Sequence, residues 1–415
     1  MKTSDAKGTS ALDTCFFMSG AAGLIYEVLW ARYLALYVGS TGLAQVIVLA
    51  TFMGGIAAGS WFLGSTADRA ASPLKLYAWL ELAIGVYALF YENLHFVGRD
   101  VFIAIVRAAG PGTVGLAAGK IAASALTILL PTFLMGGTLP ALGRHMIRNL
   151  DAAGPRIARL YFLNSIGAVA GCLLAGFWLI RTWGLQFSML MGGALNIAAG
   201  VIALIIATRG REPAGAGRFA SAPKAPEESL TRPVIAILLA AAGVSGAVSM
   251  MYEVAWIRLL ALVLGSSTYA FSLMLATFIL GLSIGGYILS LRKNPGGYRF
   301  IFALSSIGVG LTVLLSLPLY VRLPYWFNQI AASLTREPAT FPLYQLSQFF
   351  LCGLVMIVPT ILQGITLPAA AKALLDDAGR LGQRVGVVFA VNTLGTLIGV
   401  VFAGFLGLPG LGIKG

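Results

Sequence analysis

Two glutamates and two arginines stand in stretches that are otherwise apolar. The first stretch reads Gly20-Ala-Ala-Gly-Leu-Ile-Tyr26-Glu27-Val-Leu-Trp30-Ala-Arg32, ending at Gly39-Ser40. It recurs 226 positions later, with Tyr252, Glu253, Trp256, Arg258, Gly265 and Ser266 in the places of Tyr26, Glu27, Trp30, Arg32, Gly39 and Ser40. A carboxylate in hydrocarbon must find a counter-charge, a proton or water, so each acid is a candidate contact for a cation or a proton. Arg32 and Arg258 are candidate counter-charges or contacts for a substrate carboxylate. The ring faces of Tyr26, Trp30, Tyr252 and Trp256 could cap a cation, or could simply pack. Glu27 and Arg32 lie five residues apart on one helix, about 140° round its axis and about 7.5 Å along it, so they do not easily pair with each other. A two-fold relation between the copies suggests reciprocal pairs instead, Glu27 with Arg258 and Glu253 with Arg32. Structural locking and substrate binding both remain open on this evidence. Glu81 and Lys120 complete the set of charges expected inside the apolar spans.

The elements that carry these residues follow from composition. Of 415 residues 58% are hydrophobic and 10% charged, with a mean hydropathy of +0.88. That is the make-up of a polytopic membrane protein in contact with a lipid bilayer. Apolar runs predict helices at about 15–38, 42–65, 74–92, 113–142, 157–181 and 184–207, then at about 233–262, 268–291, 299–321, 343–373 and 384–408. The segment 208–232, rich in Pro, Gly, Ala and charge, reads as a solvated linker between a first repeat (1–207) and a second (233–415). With the N-terminus inside, nineteen of the 28 Lys and Arg fall in inner loops. This places the N-terminus and the linker in the cytoplasm by the positive-inside rule and accounts for the net charge of +13 without nucleic acid.

The repeat extends beyond the first helix. Ala50-Thr-Phe52…Gly55…Gly59 returns as Ala276-Thr-Phe278…Gly281…Gly285, again at 226. Pro131…Gly136…Thr138-Leu-Pro140 returns as Pro359…Gly364…Thr366-Leu-Pro368, and Asn164, Gly167 and Gly171 as Asn392, Gly395 and Gly399, at 228. Two copies entering the membrane in the same direction make a parallel repeat, as in the two halves of major-facilitator transporters. The stretch 184–207 has no second copy, so an all-α fold of two six-helix repeats is expected with its twelfth helix missing, about eleven spans in all; the sequence is then a piece of a longer protein or an eleven-helix form. The GxxxG spacings suit close backbone packing and would also suit a sliding seam between halves. Pro131, Pro140, Pro359 and Pro368 are candidate hinges, with Thr138 and Thr366 positioned to satisfy freed carbonyls. His95 and His145 are expected in loops on opposite sides. The cysteines, Cys15, Cys172 and Cys352, form no CxxC pair, and Gly119-Lys120 lacks a phosphate-binding loop. No metal site and no cofactor are therefore expected.

Several of these motifs together resemble a known family. Ser19-Gly20…Tyr26-Glu27-Val…Trp30-Ala-Arg32, Phe52-Met-Gly54-Gly55…Ala67-Asp68-Arg69, Leu76-Tyr…Glu81-Leu82, Pro131-Thr…Met135-Gly-Gly-Thr-Leu-Pro140 and Asn164-Ser-Ile-Gly167-Ala are similar to the membrane half of fused bacterial proteins that join a major-facilitator-like part to a spermidine-synthase-like part. Gly64…Asp68-Arg69 resembles a reduced major-facilitator loop motif without its following Gly and basic residue. The resemblance implies a link to polyamines or related amines in a bacterial inner membrane, and with the parallel repeat the expected activity is alternating-access transport or export of a small amine-bearing, polyamine-related metabolite. The second reading is a membrane module that anchors and regulates a spermidine-synthase-like enzyme. The sequence stops before any Gly-rich cofactor domain, so no catalytic residue carries over, and the chain itself is not expected to be an enzyme.

Overall fold

In the lipid interior a backbone must satisfy its own polar groups, and a run of about 20 apolar residues does so only as a helix. The computed structural model is accordingly built of helices joined by short turns. It describes residues 2–38, 42–110, 113–147, 153–209, 231–264, 268–294, 296–334, 337–375 and 380–407. The repeated Gly39-Ser40 and Gly265-Ser266, and most of the expected linker (210–230), lie outside the described residues. The helices are α1 (Lys2–Val38), α2 (Gly42–Arg69), α3 (Pro73–Leu89), α4 (Tyr91–Ala109), α5 (Thr113–Met146), α6 (Ala153–Leu174), α7 (Ile180–Arg209), α8 (Arg232–Leu264), α9 (Thr268–Ser290), α10 (Tyr298–Ser333), α11 (Phe341–Ala373) and α12 (Leu381–Val401). One apolar stretch, Ala153–Arg209, runs for 57 residues, long enough for two spans of about 20 residues each. Gly184, at φ +76°, breaks it where a side chain would be strained. With α3 and α4 taken as one span bent by 65°, the described residues make eleven spans, six and then five.

The sequence reading missed α4. Ser72 caps α3 by accepting from the Lys75 N–H, with Pro73 at the first helical position. The helix then breaks at Phe90, and α4 turns away across the end of α5. The second half runs α10 without such a break over 36 residues, about 54 Å at 1.5 Å per residue and well beyond a bilayer core of about 30 Å. His95 is therefore not in a loop. It lies on α4, buried, with its ring 4.8 Å from Tyr33 and 5.2 Å from Tyr37.

The paired glycines act within each half. A Cβ on Gly55 or Gly59 of α2 would collide with Thr132 or the Phe133 carbonyl of α5, and one on Gly167 or Gly171 of α6 with the Phe17 or Ala21 carbonyl of α1. Gly281 and Gly285 meet α11, and Gly395 and Gly399 meet α8, in the same way. These spacings are close helix contacts within each half, the packing reading, and a seam between the halves does not run through them. The halves meet instead along α2 with α12 and α6 with α9. There the close approaches are Gly64 to Gly382 and Gly386, and Gly286 to Ala158 and Tyr161.

All four prolines sit inside continuous helices. Pro131 and Pro140 free the carbonyls of Thr127 and Gly136, four residues back. Neighbouring helices supply the donors: the Tyr87 hydroxyl to Thr127 at 3.3 Å and the Ser60 hydroxyl to Gly136 at 2.9 Å. Thr138 and Thr366 donate to Met135 and Gln363, so they do not fill the freed positions as expected.

The place that α7 takes against α3 in the first half has no occupant in the second among the described residues. Leu74, Ala78, Glu81, Gly85 and Ala88 of α3 are buried. Their repeat positions on α10, Phe300, Leu304, Ile307, Leu311 and Leu314, form an exposed apolar stripe.

Candidate functional site

Between the halves lies a cavity of about 320 Å³, walled by α1, α2, α5 and α6 on one side and α8, α9, α11 and α12 on the other. Its lining repeats the two-fold relation of the sequence. Glu27 answers Glu253, Asn164 answers Asn392, Ser19 answers Ser245, Thr138 answers Thr366 and Phe52 answers Phe278. Glu253 is buried and Glu27 half-buried, and both carboxylates belong to this one space. The wall is not symmetric in polarity. Gly23, Met135 and Ala168 of the first half face Ser249, Gln363 and Thr396 at the repeat positions of the second. Ser249 donates to Gln363 Oε1 at 3.2 Å, which leaves Gln363 Nε2 without a partner. Asn392 donates to the Ala242 carbonyl at 2.9 Å, and the Asn164 backbone carbonyl is pressed against Gly20 of α1. Among the described residues no Lys or Arg lines the cavity. The space is therefore suited to a positively charged guest or to protons.

The reciprocal ion pairs expected from the sequence are not formed. Among the described residues Arg99–Asp100, Arg144–Asp68 and Arg159–Asp13 form ion pairs, and no such pair joins Glu27 or Glu253 to Arg32 or Arg258. The reason is the packing of the halves. They touch along α2/α12 and α6/α9, which holds α1 and α8 on opposite sides of the cavity. The arginines, five residues further along and on another face, are half-buried and outside its lining. Tyr26, Trp30, Tyr252 and Trp256 do not line it either. Tyr26 stacks on Trp30 at 5.5 Å and Tyr252 on Trp256 at 5.7 Å. Behind the cavity wall Trp30 meets Phe52 and Trp256 meets Phe278, both edge-on. Packing, not cation capping, is what these rings do here.

Glu81 is placed away from both glutamates. It is fully buried between α3, α7 and α1. Asn196 Nδ2 donates to its Oε2 at 2.6 Å, and the Tyr26 hydroxyl donates to Asn196 Oδ1 at 2.7 Å. Asn196 escaped the sequence reading because α7 has no repeat partner to mark it.

One end of the bundle carries most of the described basic residues, among them Arg69, Arg144, Arg156, Arg159, Arg292 and Arg384. At this basic end Tyr161 of α6 and Phe389 of α12, repeat mates of each other, meet edge-to-face at 6.5 Å and floor the cavity. Beyond them Asp68, at the end of α2, accepts from the backbone N–H groups of Gly382 (2.8 Å) and Gln383 (2.6 Å) at the start of α12. Arg144 approaches the same carboxylate at 3.1 Å. A carboxylate on a helix N-terminus is favoured by the orphan donors and the dipole there. This contact ties the halves together. At the repeat position Asn294 instead accepts from Gly296 in its own turn.

No family model matches the sequence, and no curated protein matches it. Solved structures do match its shape. The human organic anion transporter MFSD10 (TETRAN) superposes with a TM-score of 0.56 at 12% identity, over 98% of this chain and 95% of that one. The fold is that of the major-facilitator transporters. A bacterial homologue of the iron transporter ferroportin, in an outward-facing state, gives 0.54 at 14% identity over 96% and 92% of the two chains. The nucleoside transporter NupG gives 0.52 at 16% identity over 96% and 90%. At such identities the likeness is one of major-facilitator architecture, and the guests of these proteins differ in chemistry from one another.

Proposed function

We propose that the chain is an alternating-access transporter of a small organic cation, an amine-bearing and polyamine-related metabolite, in a bacterial inner membrane with the basic end in the cytoplasm. One observation carries the reading: Glu27 and Glu253 share one central cavity of about 320 Å³ into which no basic side chain of the described residues projects. An ammonium group between them would replace lost hydration with charge-assisted hydrogen bonds. The surrounding Ser, Thr, Asn and Gln side chains would serve the rest of the guest. Asp68 on α12 and the Tyr161–Phe389 contact would then be the cytoplasmic gate, and the prolines of α5 and α11 its hinges.

The similarity to fused spermidine-synthase-like proteins supports the amine and also motivates the second reading, a module that anchors an amine-handling enzyme. An unfilled cavity with two carboxylates set in a largely apolar wall favours transport, since an anchor has no need of either. Purified protein in liposomes should take up labelled putrescine or spermidine and should not take up a dicarboxylate of similar length. Uptake should fall at least about tenfold in Glu27→Gln and in Glu253→Gln, the loss expected for one hydrogen bond to a charged group. Equal uptake by both variants and the parent would remove the cavity carboxylates from the mechanism.

A further inference from the structure

The carboxyl of Glu81 has no part in the cavity, yet it is the most deeply buried acid of the described residues, with no exposed surface. Every element packed against it offers dipoles and no positive charge. From α1 come Cys15, Ser19 and Tyr26; from α3 itself, Tyr77; from α7, Asn196. The charged residues of α7, Arg181 and Arg209, stand at its ends, Arg144 of α5 is in that helix's last turn and paired with Asp68, and Lys120 lies two turns into α5 from its other end. On α1, Asp13 is paired with Arg159 and Glu27 faces the cavity. Close contacts of Gly85 with Gly193, and of Gly200 with Ala78, seal α3 against α7.

An ionised carboxylate in such a place is costly, and neutral donors, the Asn196 amide with the Ser19 and Tyr77 hydroxyls close by, do not offset several kcal/mol of desolvation. Glu81 Oε1 and the Tyr77 hydroxyl beside it are close to each other, and neither has a partner at full hydrogen-bond geometry. One neighbour does connect this pocket to the cavity: Ser19, next to Glu81, is also part of the cavity lining. We propose that Glu81 is a proton-binding site, separate from the cavity carboxylates, which is loaded and emptied through the central cavity by way of Ser19.

On release the Oε1–H bond breaks, the proton passes to the Ser19 hydroxyl as that group gives its own to cavity water, and the carboxylate left behind is held by Asn196 Nδ2. Loading is the reverse. The second half has Ile307 at this repeat position, so the site is single and breaks the two-fold relation that the rest of the cavity keeps. It does not depend on the guest being an amine.

Infrared spectroscopy of the purified protein in lipid discs tests the site without any substrate. In a Glu27→Gln/Glu253→Gln background, a protonated-carboxyl C=O band should remain at neutral pH, shift on transfer to D2O, and vanish when Glu81→Gln is added. Ser19→Ala should leave the band in place and slow its deuterium shift roughly tenfold or more, as removal of a proton relay does. If the Glu81→Gln variant does not fold, Glu81→Asp should displace the band, and the Ser19→Ala comparison still reads the native acid. A band indifferent to substitution at Glu81 would mean that the carboxyl is ionised and overturn the proposal. A Glu81 band that never exchanges, or exchanges equally fast without Ser19, would make it a sealed structural acid and overturn it too.

Discussion

At the residue scale the decisive fact is that two acids 226 positions apart look into one space. Charge balance inside the spans suggested that arginines would neutralise them, and the geometry separates the two kinds of charge. The glutamates face the cavity, while the arginines lie on other faces of α1 and α8. A double-mutant cycle distinguishes the two arrangements. Glu27→Gln and Arg258→Gln should affect thermal stability additively, with a coupling below about 0.5 kcal/mol, as for sites that share no partner. The same should hold for Glu253 and Arg32. A coupling of about 1 kcal/mol or more would restore the reciprocal pair.

At the element scale the repeated glycines set how closely helices approach within each half. Gly20 of α1 lies against the Asn164 carbonyl, and Gly167 of α6 against the Phe17 carbonyl. Backbone, unlike the end of a long side chain, cannot swing aside. Gly20→Ala and Gly167→Ala should each destabilise the protein by about 1–3 kcal/mol, the usual cost of overpacking. Gly54→Ala is the internal control, because a Cβ there meets nothing within 4 Å. It should be neutral or slightly stabilising, since Ala is the better helix former. Thermal unfolding in detergent reads all three. A loss at Gly54 equal to the others would mean that helix propensity, and not interhelical fit, sets these costs.

At the scale of the whole molecule, both seams are in contact, and at the basic end the halves are joined by Asp68 on α12 and by Tyr161 on Phe389, the contacts proposed above as the gate. Asp68 also sits 314 residues from its donor Gly382 on α12, so only the relative placement of the halves makes the contact. Asp68→Asn removes the charge from the α12 N-terminus and weakens two hydrogen bonds. The population open at the basic end should rise by roughly tenfold, for a loss of about 1–2 kcal/mol in a partly buried helix-end contact. The rate at which a thiol at Ser165→Cys reacts with a reagent added from the basic side measures this. An unchanged rate would show that the aromatic floor alone keeps the end closed.

The sequence by itself determined most of the spans, the two-fold repeat, the correspondence of Glu27 with Glu253 and of Asn164 with Asn392, and the division of 157–207 into two helices. Those features are linear: hydrophobic length is read along the chain, and a repeat is a fixed displacement. Tertiary structure alone decided which faces turn inward. Helices that are apolar on every side carry no stripe to mark the core face, so nothing in α1 announced that Glu27 looks into the cavity while Arg32 and Trp30 do not. The same lack hid the partners of Glu81, for Asn196 is 115 residues away on a helix that occurs once. It also hid the seam, because a glycine that admits a neighbour within its own half has the same spacing as one that would admit the other half. Rotation of each helix about its axis is fixed by packing against several others at once, and that information exists only when the whole bundle is assembled.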